Sequence, residues 1–145
     1  MAVVLPAALR DQLVAWSAAE HPREACGLLI GTRVAGEWRV RRVLPAANIA
    51  PAPRTRRYEV APLDLLEADR VARASGQELV GVWHSHPGRS ARPSERDRRG
   101  AYPGWAYVIL GGQGELRAWH LREQALVELP LASRASPLLS AGRTP

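Results

Sequence analysis

The sequence predicts an α/β domain in which a mixed β-sheet is flanked by helices. Three observations predict it. Apolar stripes of helical period run through 6–20 and 62–75. Runs of strand length, continuous or alternating, lie between and after them. Gly- and Pro-rich breaks separate the runs.

The first helix is expected over 6–20, with Leu9, Leu13, Val14 and Trp16 as its core stripe. Pro6 is tolerated at its start, and Pro22 ends it. Residues 25–32 (ACGLLIGT) read as a buried strand. Residues 37–44 (EWRVRRVL) alternate apolar and basic side chains and read as a half-exposed strand. Ala35-Gly36 is the hairpin turn between them. A loop rich in Pro, Ala and Arg follows at 45–57, then a short strand at 57–60. The second helix is expected over 62–75, with Leu63, Leu66, Val71 and Ala74 facing the core and Gly76 as its C-terminal cap. A strand at 78–86 (ELVGVWHSH), a loop at 87–93 and a short helix started by Ser94 come next. Strands at 105–110, 115–121 and 125–129 complete the pattern, the first two joined by the turn at 111–114.

The 145 residues suit one domain with a core large enough to need no disulfide. Residues 1–130 are expected to form it, and 131–145 to be a flexible tail. The single cysteine, Cys26, reads as a small buried hydrophobe and fits a reducing compartment. Neither a signal peptide nor a membrane-spanning stretch is visible, so a cytoplasmic protein is expected. The net charge is +6, and every basic residue counted as Lys or Arg is arginine. Arginines cluster at 54, 56 and 57 and at 89, 92, 96, 98 and 99. The absence of Lys favours a compositional bias on solvated faces. No aromatic residues interleave with these clusters as a single-strand platform requires, so nucleic acid is not the expected partner.

The chemistry centres on His84-Ser85-His86. Residues two apart on a strand share a face, so both imidazoles can reach one metal ion, and imidazole suits zinc. Asp97, one turn into the short helix, can supply a third ligand. Two His and one carboxylate leave a position open for water, as in catalytic rather than structural zinc sites. One Zn2+ per chain is therefore expected. Glu24 stands just before the buried strand. If that strand neighbours the one bearing the histidines, Glu24 can accept the proton of an attacking water. The Ser94 hydroxyl can serve as an oxyanion donor. The plainer alternatives are a surface carboxylate paired with Arg for Asp97, a solvated loop residue for Glu24, and a helix cap alone for Ser94. His21 and His120 read as structural or exposed, and Trp83 and Trp105 as core. Asn48 reads either as a turn residue or as a group that positions substrate backbone.

Taken together, Glu24, His84-Ser85-His86-Pro87 and Ser94-Glu95-Arg96-Asp97 resemble the signature of the JAMM (MPN-plus) metalloprotease family: a remote Glu, then H-x-H-P, then S-x-x-D. The ten residues between His86 and Asp97 match that family's spacing. The resemblance implies a cytidine-deaminase-like MPN fold, zinc, and hydrolysis of peptide or isopeptide bonds. It implies that His84, His86 and Asp97 are the metal ligands, Glu24 the general acid/base and Ser94 the oxyanion donor. The chain is most similar to small stand-alone prokaryotic members that act after the Gly-Gly tail of ubiquitin-like sulfur-carrier proteins. Such a carrier or its conjugate is the substrate the resemblance implies, and homodimerisation stays open. Two other functions compete. One is a non-catalytic scaffold of the same fold. The other is a DNA-associated role like that of RadC-type proteins, whose usual N-terminal helix-hairpin-helix region has no counterpart here. A zinc nucleoside deaminase needs Pro-Cys-x-x-Cys, which one cysteine cannot supply.

Overall fold

The structure, a computed structural model, describes residues 1–134. In chain order the elements are β1 (Ala2–Val4), α1 (Ala7–Glu20), β2 (Cys26–Val34), β3 (Glu37–Ala46), α2 (Pro62–Ala74), β4 (Glu78–Ser85), α3 (Glu95–Arg99), β5 (Ala106–Leu110), β6 (Leu116–Arg122), β7 (Ala125–Leu129) and β8 (Leu131–Ala132). All the strands join one mixed sheet in the order β7-β6-β5-β4-β2-β3-β1-β8. β4 pairs antiparallel with β2 and parallel with β5. The α/β reading with a mixed sheet and flanking helices therefore holds.

Each sheet face carries its own core. Leu9, Leu13 and Trp16 of α1 pack on one face against Leu29, Val43 and Trp83. Ala68 and Ala72 of α2 pack on the other against Leu28, Val82 and Ile109. Buried Trp83 donates its indole N–H to the Leu44 carbonyl oxygen (3.0 Å).

Local chemistry sets the turns. Ala35 and Gly36 both have positive φ (49° and 82°), as the tight turn between right-twisted strands requires. After α2 the Gly76 N–H donates to Arg73 O (3.1 Å) and the Gln77 N–H to Ala72 O (2.9 Å). With Gly76 at φ 68° this is a Schellman cap.

Several expectations need correction. The core face of α2 is not the stripe through Leu63 and Leu66, which are 76% and 65% exposed, but the one through Ala68 and Ala72. Small side chains there let the helix sit close to the sheet. Val14 of α1 is likewise exposed. The first half of β3 is buried, because β3 lies inside the sheet between β2 and β1; Glu37 and Arg39 there form an ion pair at 3.0 Å. Residues 57–60 form no strand, only an isolated bridge from Val60 to Asn48. Leu131 and Ala132, placed with the tail in the sequence reading, pair with Val3 and Val4 of β1, a strand the reading missed. Residues 135–145, the rest of that tail, lie outside the described residues.

Candidate metal centre

β4 ends in the middle of the sheet, where its last residues meet the start of β2 and the loop into α3. Cys26 is in register with His84. The Ser85 N–H donates to Ala25 O (3.0 Å), and the Ala25 N–H donates to the Ser85 hydroxyl (2.9 Å). These bonds bring Glu24 beside the histidines. The His86 N–H is anchored on Leu110 O (2.8 Å), which fixes the chain as it leaves β4.

Three atoms converge. His84 Nε2 and His86 Nε2 are 3.1 Å apart. Asp97 Oδ2 lies 3.3 Å from the first and 3.2 Å from the second. Ligands of a tetrahedral zinc, bound at about 2.0–2.1 Å, stand roughly 3.3 Å from one another, so this triangle fits such an ion. His86 donates its Nδ1–H to Ser90 O (2.9 Å), leaving the Nε2 lone pair for the centre. The Tyr58 ring stacks on His84 at 4.2 Å. Glu24, His84 and His86 also form a possible metal-holding set, with ligand atoms within 4.8 Å of one another. Two carboxylates thus compete for the third position. Asp97 has an oxygen close to both imidazoles, whereas Glu24 Oε2 is already paired with Arg89.

Asp97 is placed by a capping box. Its N–H donates to Ser94 Oγ (3.0 Å), and the Ser94 N–H donates to Asp97 Oδ2 (2.8 Å). Burial pushes the Asp97 carboxyl up, but His84, His86 and the Ser94 amide outweigh burial and hold it well below the usual carboxylate range. Glu24 is 1% exposed, and its Oε1 is buried with no hydrogen-bond partner. Burial raises its pKa, against the opposing pull of His84, His86 and Arg89. Cys26 is buried, and burial pushes its thiol up to about 12. His21 is exposed, and His120 packs edge-on against Trp38, away from this centre.

Asn48 is a structural anchor. Its Nδ2 donates to Glu24 O (3.0 Å) and Arg57 O (2.9 Å), and its Oδ1 accepts from Ala50 N (3.0 Å) and Glu59 N (3.2 Å). It ties the 45–57 loop to the backbone of Glu24. Trp105, expected in the core, is only half-buried and lines a groove of about 610 Å³ with Tyr58, Leu65, Tyr102 and Tyr107. Asp97, Arg96 and Arg99 also line this groove. The sequence reading missed Tyr58, Arg89 and the groove, since no motif or period marks any of them.

Buried imidazoles and carboxylates converging at a strand end are the kind of donor set that metal-dependent hydrolases use. The chain belongs to the prokaryotic homologues of the JAB domain, whose family profile matches residues 6–122. It is accordingly a JAMM-type hydrolase of a metal-dependent family. It is 36% identical over 129 residues to a probable TtuB-protein conjugate cleaving protease of Thermus thermophilus, an alignment covering 89% of this chain and 82% of that one. It is 32% identical over 133 residues to a desampylase of Haloferax volcanii, covering 88% and 94%. The solution structure of a protein from Desulfitobacterium hafniense superposes with a TM-score of 0.80 at 28% identity, covering 89% of this chain and 90% of that one. Among the described residues no helix is long and apolar enough to cross a membrane.

Proposed function

We propose that this protein is a zinc peptidase that hydrolyses the peptide or isopeptide bond after the Gly-Gly tail of a ubiquitin-like sulfur-carrier protein. The observation that carries the reading is the triangle of His84 Nε2, His86 Nε2 and Asp97 Oδ2, with the unpartnered Oε1 of Glu24 beside it. The names of the Thermus and Haloferax relatives support the substrate class, since both describe removal of a conjugated protein.

His84, His86 and Asp97 would hold the ion. A zinc ion in such a site polarises the scissile carbonyl and lowers the pKa of a water to about 7. Glu24 accepts the proton of the attacking water on Oε1 and passes it to the departing amine. Its raised pKa moves it toward neutrality, where a group that must both take and give a proton works best. The Ser94 hydroxyl accepts from Asp97 N, which leaves its own proton to donate to the developing carbonyl oxyanion. The groove that Asp97 helps to line offers aromatic walls to an extended tail, whose narrow glycines can approach the centre.

The test is metal analysis of the purified protein, followed by incubation with a Gly-Gly-terminated carrier conjugate and mass spectrometry. One zinc per chain and cleavage after Gly-Gly are expected. Glu24→Ala is expected to keep the zinc and lose activity by about 10²- to 10⁴-fold. Full activity in Glu24→Ala or His84→Ala would overturn the proposal.

A further inference from the structure

The two imidazoles of the centre are held in different ways. His86 donates from Nδ1 to Ser90 O (2.9 Å), and this bond fixes both its tautomer and its ring plane. His84 is 1% exposed, and its Nδ1 is buried with no hydrogen-bond partner among the described residues. Rotation of an imidazole about its Cβ–Cγ bond is soft, because a torsion between sp³ and sp² carbons has broad wells. A ring without such a bond needs another contact to keep Nε2 aimed at the ion.

Tyr58 supplies that contact. Its ring lies over His84 with centroids 4.2 Å apart and planes inclined by 22°. Turning the imidazole out of its plane would drive its edge into the phenol ring. Tyr58 is itself well anchored, although it belongs to no helix or strand. Asn48 donates to Arg57 O (2.9 Å) and accepts from Glu59 N (3.2 Å), so it holds the residues on either side of Tyr58. The Ile49 N–H donates to Glu59 O (3.0 Å). The Tyr58 side chain packs on the core layer that contains Leu28, Ala68 and Val82. The same Asn48 amide donates to Glu24 O (3.0 Å), so one side chain places both the backbone of Glu24 and the ring that faces His84.

We infer that Tyr58 is a positioning residue for the metal centre, its stacked ring doing for His84 what the bond to Ser90 does for His86. The stack uses the flat face of the ring and not the hydroxyl. An aliphatic side chain of similar size would fill the space but leave the imidazole free to turn. The inference rests on the reading of His84 as a metal ligand and not on which bond the enzyme cleaves.

The experiment measures zinc affinity of the full chain, prepared metal-free and titrated against a chromophoric chelator. Wild type, Tyr58→Phe, Tyr58→Leu and His84→Ala are compared. Tyr58→Phe keeps the ring and is expected to bind zinc as wild type does. Tyr58→Leu is expected to lose about 10- to 100-fold in affinity, the usual cost of removing a partner that orients a ligand. Thermal melting of the metal-free variants shows that the loss occurs in folded protein. A readout that needs no variant is the mobility of the two histidine rings in the metal-free wild type, taken from NMR relaxation. His84 is expected to be as rigid as His86 although it lacks the hydrogen bond. Unchanged zinc affinity in Tyr58→Leu, an equal loss in Tyr58→Phe, or a His84 ring clearly more mobile than that of His86 overturns the inference and leaves the metal site standing. If wild type binds no zinc, or His84→Ala binds it as tightly as wild type, the metal reading falls and this inference with it.

Discussion

Ser94 and Asp97 hold each other through reciprocal hydrogen bonds of 2.8 and 3.0 Å, so the cap of a five-residue helix also aims one member of the metal-facing triangle. A helix this short has little stability of its own, and the capping box fixes it and the carboxylate together. In the mechanism proposed above Ser94 is both cap and oxyanion donor, and substitutions can separate the two roles. Ser94→Ala is expected to cost about 1 kcal/mol of stability, and Ser94→Gly only a few tenths. Both are expected to lower kcat by about 10²- to 10³-fold, because both remove the hydroxyl donor. Denaturant titration and steady-state kinetics on both variants check this. A fully active Ser94→Gly enzyme would show that the serine is a cap alone.

Two carboxylates stand near the imidazoles, and metal affinity ranks them. Asp97 Oδ2 is within 3.3 Å of both Nε2 atoms, while Glu24 Oε2 is taken by Arg89. Asp97→Asn is therefore expected to weaken zinc binding by at least tenfold, whereas Glu24→Gln leaves it within a few-fold. Competition with a chromophoric chelator measures both. The reverse ranking would make Glu24 the ligand.

Asn48 uses both donors of its amide and accepts twice, joining the 45–57 loop to the Glu24 carbonyl. Asn48→Ala leaves those backbone groups without partners. At about 1 kcal/mol per bond, discounted for partial exposure, a loss of roughly 2 kcal/mol is expected. Activity should fall as well, because the loop no longer holds Glu24 in place. Thermal unfolding and kcat measure the two effects, and a stable, fully active variant would rule out the anchoring role.

Burial pushes the Cys26 thiol up to about 12. The folded state then keeps a proton that the unfolded chain releases near pH 9. The associated stability is fully present below pH 9 and is lost as pH rises toward 12. A maleimide is expected to label Cys26 at pH 8 only after denaturation. Stability measured from pH 9 upward should fall less steeply in Cys26→Ala. Rapid labelling of the native protein would contradict this burial.

In β2, a Cβ on Gly27 would lie 1.9 Å from Leu44 O and 2.3 Å from Trp83 Nε1. The obstacles are backbone and a buried indole, neither able to swing aside. Gly27→Ala is expected to destabilise by about 3 kcal/mol, and soluble yield and melting temperature report it.

Much of this molecule was legible in one dimension, because some rules are local. A period of 2 placed His84 and His86 on one face, a period of 3.6 located α1 and α2, and glycines at 36 and 76 marked their turns. Ser94 announced the start of a helix by its chemistry, and Asp97 followed at capping-box distance. Glu24 needed one further condition, that its strand lie beside the one bearing the histidines, and the β2–β4 pairing meets it.

What the sequence by itself determined was therefore the ligand-type residues, their spacing and the elements that carry them. The tertiary structure alone decided which helix face is buried, Ala68 and Ala72 rather than Leu63 and Leu66. It also decided that β1 and β8 close one edge of the sheet, that Tyr58 stacks on His84, and that Arg89 reaches back to Glu24. The reason is physical. Periodicity and capping arise from bonds within a few residues of each other, whereas Glu24 and Arg89 are 65 positions apart and meet only because the strand order brings them together.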